Sequence, residues 1–165
     1  MRFLTATECA DRCERLQVPL VGGWPSDELP NAHCLHYSFP EPMYLGFALW
    51  FSRCVESSLQ PRQDCLVWIT QSDIFPGNEN NHLYYRLRQS YGDFRLLHEA
   101  PGHLCLDYER AEVVTLVQLG ILFGWDVHLI PYAGYARAFV CHDEWAVIGF
   151  DNKAQYEQTS QALKP

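Results

Sequence analysis

Asp107–Gly124, DYERAEVVTLVQLGILFG, is the stretch on which the fold turns. Its two ends are marked as the ends of a helix. The Asp107 carboxylate can accept free N–H groups of a first turn, Glu109 places negative charge at the positive end of the helix dipole, and Gly124 suits the left-handed residue that closes a helix. Between them Val113, Val114, Leu116, Val117, Leu119, Ile121, Leu122 and Phe123 spread around most of the circumference. That distribution predicts a mostly buried helix, because a half-exposed one keeps a polar face. Each such side chain contributes roughly 1.5–3 kcal/mol when taken fully out of water, so a charge at Val117 is expected to unfold the domain. Short apolar runs flank the stretch, Leu104 to Leu106 before and Val127 to Ile130 after, giving the order strand, helix, strand.

The same order is read immediately upstream. Cys65 to Thr70, CLVWIT, is a continuous run of strand-formers, as expected of a central strand covered on both faces. The loop SDIFPGNEN follows, then a helix from about Glu79 to Tyr91, with Leu83, Leu87 and Tyr91 as its apolar stripe and His82, Arg86 and Gln89 as its polar one. Pro101-Gly102 turns the chain into the strand at Leu104. Two consecutive βαβ units with right-handed crossovers would make these strands parallel. Downstream, Ala136 to Cys141 and Trp145 to Phe150 read as an antiparallel hairpin on the sheet edge, joined across His142-Asp143-Glu144. Asp151 or Asn152 can cap a final polar helix.

Upstream of the core, Thr5 or Thr7 begins a surface helix running to about Leu16, with Cys9 and Cys13 on its apolar face. Gln17 to Pro42 is rich in Pro and Gly and reads as an irregular wrapping segment with a short strand near Cys34 to Ser38. Pro42 fits a first helical position, and a second helix with Leu45 and Leu49 inward is expected to about Leu59. The fold class predicted is α/β: a single compact domain over 1–165 with a mixed sheet and helices on both faces. It divides into a helical and irregular part (1–63), an α/β core (64–150) and a C-terminal helix (151–165).

Composition bounds the function. A chain of 165 residues with 48% hydrophobic and 14% aromatic residues is long and apolar enough to bury a sizeable core. Its formal charge of −8, from 20 acidic against 12 basic side chains, disfavours nonspecific binding to nucleic acid or an anionic membrane and favours a basic partner. No signal peptide or membrane-spanning run is read, so a soluble cytoplasmic protein is expected. The seven cysteines show no disulfide-scaffold spacing and fit reduced thiols.

Motifs for catalysis are weak. His98-Glu99-Ala100-Pro101-Gly102-His103 superficially resembles a zinc-protease helix, but its spacing is one residue too long and Pro-Gly breaks the helix. It is read as a tight turn whose polar residues bond backbone groups. Cys9 and Cys13, with His33, Cys34 and His36, make a zinc site chemically conceivable, but the spacing matches no compact motif, and neither metal nor cofactor is expected. Cys141-His142 could pair a thiol with a base, except that adjacent strand residues point to opposite faces. Ligands of open parallel sheets collect beyond the carboxyl ends of strands, so Asp73, Glu79, Asp107, Glu109 and Arg110 are expected to share a rim. Tyr108, Tyr132 and Tyr135 add aromatic groups suited to interfaces, and Asp143 and Glu144 add charge.

The stretches LVWITQSDIFPGNENNHLYYRLRQSYGD (66–93) and LLHEAPGHLCLDYERAEVVTLVQLGILFGWDVHLIP (96–131) resemble an uncharacterised bacterial family associated with polymorphic-toxin immunity proteins. The resemblance covers about 65–144 and assigns no residue a role. It implies an intracellular protein that binds and neutralises a toxin, often a basic nuclease or other cytotoxic enzyme. The expected partner-binding residues are therefore Asp73, Glu79, Asp107, Tyr108, Glu109, Tyr132, Tyr135, Asp143 and Glu144. The competing reading is a small hydrolase or transferase with a polar pocket at loops 71–79 and 98–110. A domain for homo-oligomerisation or regulation is a third.

Overall fold

Strand, helix and strand succeed one another as the sequence predicts, but the strands point in unexpected directions. The structure is a computed structural model that describes residues 1–59, 63–72, 81–132 and 136–164. In chain order its elements are β1 (Arg2–Leu4), α1 (Ala6–Arg15), β2 (Leu20–Val21), β3 (Trp24–Pro25), β4 (His33–Ser38), α2 (Phe47–Ser58), β5 (Cys65–Gln71), α3 (Asn81–Ser90), β6 (Gly102–Cys105), α4 (Arg110–Phe123), β7 (Asp126–Pro131), β8 (Ala136–Cys141), β9 (Trp145–Phe150) and α5 (Lys153–Ala162). Seven strands form one sheet in the order β1-β6-β5-β7-β8-β9-β4, and β2 and β3 form a separate hairpin. The chain is a compact mixed α/β domain, and the ladders in both sheets are antiparallel.

That direction corrects the two parallel units. β5 and β6, joined through α3, lie side by side antiparallel, with Leu66 opposite Leu104. β6 and β7, joined by α4, do share a direction, because each is antiparallel to β5, yet β5 sits between them. The outcome is one βαβ unit split by an inserted strand. A strand buried on both faces reads as an apolar run whichever way it points, so the composition of Cys65–Gln71 carries its burial and not its direction.

Alternation along the strands sorts the core into two layers. Cys65, Val67 and Ile69 of β5 face the larger one with Phe51 and Val55 of α2 and Val113, Leu116 and Val117 of α4. Leu66 and Trp68 face the smaller one with Cys9 and Cys13 of α1. Helix α1 lies against bare backbone: a Cβ on Gly102 would come 2.1 Å from Cys9 Sγ. Its start is fixed by a reciprocal cap, in which Glu8 N–H donates to Thr5 Oγ1 at 3.3 Å and Thr5 N–H to Glu8 Oε2 at 2.7 Å.

Several boundaries differ from the expected ones. Helix α4 begins at Arg110, not at an Asp107 cap, and Glu109 in the capping position makes no side-chain cap bond. Its carboxylate instead accepts Leu106 N–H at 2.9 Å and pairs with the Met1 ammonium. Gly124 does close the helix in the left-handed region, φ +63°. Helix α2 begins five residues past Pro42, after Gly46 at φ +84°, and Leu45 is wholly exposed. The hairpin β8–β9 has its predicted bounds but is not the edge, because β4 pairs along β9 from His33↔Phe150 to Ser38↔Trp145. Among the described residues no helix is long and apolar enough to cross a membrane.

Candidate functional site

Antiparallel pairing gathers the described members of the predicted rim at one end of the sheet. Asp107, Tyr108 and Glu109 follow β6, Tyr132 follows β7, and Asp64 ties the two turns together. Its carbonyl accepts Tyr132 N–H at 2.8 Å and its carboxylate accepts Asp107 N–H at 3.2 Å. Tyr108 and Tyr132 are exposed there, and the Arg12 guanidinium lies 5.4 Å from the Tyr132 ring centre. Arg110 leaves the rim to pair with Glu56 of α2. Asp143 and Glu144 lie at the other end, about 20 Å away along six residues of β7. Of loop 98–110, residues 107–110 sit at the end opposite Gln71, whereas Pro101 lies at the Gln71 end, its carbonyl accepting Ile69 N–H at 3.1 Å. The carboxyl-end rule presupposes parallel neighbouring strands, whereas β6 and β7 each pair antiparallel with β5. Asp73, Glu79 and Tyr135 lie outside the described residues.

The convergent chemistry lies at the Asp143 end. Val127 pairs with Val140, which brings Asp126, opening β7, beside Cys141, closing β8. His142 N–H donates to Asp126 Oδ1 at 2.9 Å, and His142 Nδ1 lies 2.8 Å from the same oxygen. Cys141 Sγ is 3.9 Å from His142 Nδ1, and the oxygen, nitrogen and sulfur all fall within 4.8 Å of one another. A second ring of contacts holds them: Asp143 Oδ1 lies 3.3 Å from His142 Nε2, and Asp143 N–H donates to Cys141 Sγ at 3.5 Å. Burial pushes the Cys141 thiol up to about 11, so it is protonated at neutral pH.

This corrects the expectation that Cys141 and His142 point apart. Alternation holds only while a strand continues, and His142 is the first residue of the turn after β8. The turn closes through Glu144 in the left-handed region, φ +64°, and folds the imidazole back onto Asp126.

Asp126 also lines an open groove of about 690 Å³ on the sheet face that α1 leaves uncovered. Trp24, Asp27 and Glu28 form its outer wall, with His128 and Phe139 on the sheet. The His128 ring stacks on Phe139, centroids 4.5 Å apart, and burial holds it neutral by lowering its pKa to about 4. The wall stands where it does because Gly22 and Gly23, at φ +62° and +91°, make the tight β2–β3 turn and Trp24 leans on Trp68 at 5.4 Å.

A second polar cluster went unread in the sequence. On α3 the buried positions are Tyr84 and Arg88, whereas Leu83 and Tyr91 of the predicted stripe are exposed. Arg88 donates to Asp93 Oδ1 and Tyr84 Oη, each at 2.8 Å, and to the Ala100 carbonyl at 3.1 Å. Tyr84 Oη lies 2.7 Å from His103 Nε2, and His103 Nδ1 lies 3.3 Å from the Val67 carbonyl. A neutral ring with its proton on Nδ1 satisfies both contacts. Phe3 seals the set, its ring 4.5 Å from the Arg88 guanidinium carbon. The signal available in the sequence was Tyr84 and Arg88 one turn apart with Asp93 just beyond. The turn before His103 is as expected, with Glu99 accepting Leu96 N–H at 2.6 Å. Cys9 and Cys13 pack beneath α1 while Cys34 packs beside Phe139 and Trp145, so these thiols do not converge.

The chain matches no protein-family model, and comparisons with curated proteins and with solved structures likewise find no match.

Proposed function

We propose that this chain is a non-enzymatic binding protein of immunity type, which holds a basic protein partner in the acidic, aromatic groove beside β7 and so occludes it. The observation that carries the reading is the composition of that groove. Asp27, Glu28 and Asp126 surround Trp24 and Phe139 in about 690 Å³, on a chain of formal charge −8. Carboxylates steer a cationic segment inward, and rings supply area that it can bury against. Asp143 and Glu144 extend the acidic surface past Asp126, while Asp107, Tyr108 and Tyr132 form a separate patch at the far end. A cytoplasmic setting is part of the reading and is supported by seven free cysteines.

The experiment is capture of partners from the native host by the tagged chain and by a double variant, Asp27→Lys with Glu28→Lys, read by mass spectrometry. The expected result is one basic, cytotoxic protein held stoichiometrically by the original chain and lost from the variant. Equal retention by both removes the groove from the reading, and repeated absence of any stoichiometric partner rejects it.

A further inference from the structure

We propose that Asp126, Cys141 and His142 form a three-ligand site for a divalent transition ion of the zinc class. This goes beyond partner binding, because the ion is held whether or not the groove is filled. The donor set is one carboxylate oxygen, one imidazole nitrogen and one sulfur, all within 4.8 Å of one another. Sulfur and imidazole select zinc-like ions over calcium or magnesium, which take oxygen shells.

Two of the three donor separations fit with little movement. Tetrahedral zinc bonds of about 2.0–2.3 Å place neighbouring donors about 3.3–3.7 Å apart. Cys141 Sγ to His142 Nδ1 is 3.9 Å and His142 Nδ1 to Asp126 Oδ1 is 2.8 Å, so these two pairs need to shift by only about 0.2–0.5 Å, and the third, Asp126 to Cys141, is within 4.8 Å. Two of the three donors stand on paired strands, β7 and β8, and the third on the turn that joins β8 to β9, a rigid base for a site.

The outer contacts are those a metal site needs. A ligating histidine usually gives its other ring N–H to a carboxylate, and Asp143 Oδ1 stands 3.3 Å from His142 Nε2. The Asp143 N–H already points at Cys141 Sγ and would stabilise a thiolate. On binding, the Cys141 proton passes to solvent, the imidazole carries its proton on Nε2 toward Asp143, and Nδ1 and Sγ each give a lone pair to the ion. Three protein ligands leave the fourth position for water. His142 is 22% exposed at its side chain and Asp126 13%, so an ion can enter.

The test is calorimetric titration of the chelator-treated full chain with Zn²⁺, alongside absorption spectra with Co²⁺. Expected are one ion per chain and a near-ultraviolet sulfur-to-cobalt band. Cys141→Ser should abolish that band. Cys141→Ser and His142→Gln should each weaken Zn²⁺ on the order of 100-fold, and Asp143→Asn about 10-fold, the range seen when outer partners of a ligand are lost. A Cys34→Ser, Cys54→Ser double variant should behave like the original. Circular dichroism confirms that each variant is folded, and His142→Gln, altering a partly exposed turn, serves should Cys141→Ser unfold. Zn²⁺ affinity that survives both Cys141→Ser and His142→Gln, a cobalt spectrum without the sulfur band, or loss of binding in the Cys34/Cys54 variant overturns the site.

Discussion

The molecule has two polar clusters that each contain a histidine and an aspartate, and they are built in opposite ways. At β6 the chain Asp93, Arg88, Tyr84, His103 is closed: Arg88 and His103 are wholly buried and each named contact ends on another protein group. At the β8–β9 turn, Asp126, His142 and Asp143 meet the solvent around a buried Cys141, and the donor atoms of Asp126, Cys141 and His142 converge on a common space instead of running in a line. A histidine and a carboxylate in one cluster therefore carry little meaning alone. What separates framework from site is whether the lone pairs are already spent, and buried polar groups must spend them.

The largest effect that sharpens the comparison is Arg88→Met. It strands Tyr84 Oη, the Ala100 carbonyl and part of Asp93 in a sealed space, and should cost about 3–5 kcal/mol, as breaking a buried charge pair does. Denaturant unfolding measures it, and a loss below about 1 kcal/mol would erase the distinction between the clusters. Next comes pH. Burial, helped by the Arg88 charge, lowers His103 to about 3, against about 6.5 in an unfolded chain. Between these values the unfolded chain binds a proton that the folded one refuses, so His103 contributes stability fully above about pH 6.5 and loses it as pH falls toward 3, with a limiting slope of about 1.4 kcal/mol per unit. His103→Gln should flatten that slope between about pH 6.5 and 4.5. Below this window Asp93 adds its own loss: burial would raise its carboxyl, but hydrogen bonds from Arg95 and Arg88 outweigh that and hold it at about 2, so its contribution disappears as pH falls from about 4. Tyr84→Phe, which leaves His103 Nε2 and one Arg88 N–H unpaired, should cost about 1–3 kcal/mol by the same unfolding measurement.

The legibility of each cluster in the sequence follows from the same physics. Helix α4, strand β5 and the hairpin β8–β9 were readable because apolar periodicity and turn residues are local signals. The directions of β5 and β6 were not, since pairing joins residues as distant as Leu66 and Leu104. β1 was missed outright: three residues at Arg2–Leu4 carry no periodicity and gain their place by pairing with β6. The closed cluster was hidden because Arg88 reads as a surface charge until Asp93 and Tyr84 are seen around it. The open one was misread although the end of β8 was expected where it is, at Cys141. Alternation separates Cys141 from His142 only if the strand continues through 142, whereas His142 already belonged to the expected turn 142–144, whose backbone folds the imidazole back onto Asp126.

The smallest effect is the most discriminating. His142→Ala removes an imidazole that is 22% exposed and paired with Asp126, yet the backbone N–H at 142 remains to hold the Asp126 carboxylate. The expected cost without metal is under about 1 kcal/mol, as for an exposed ion pair, whereas the extra stability conferred on the original chain by Zn²⁺ should vanish. A site is an arrangement that the fold can lose cheaply and its ligand cannot. If His142→Ala costs as much as Tyr84→Phe in metal-free unfolding, the turn cluster is framework like its counterpart, and the contrast between them collapses.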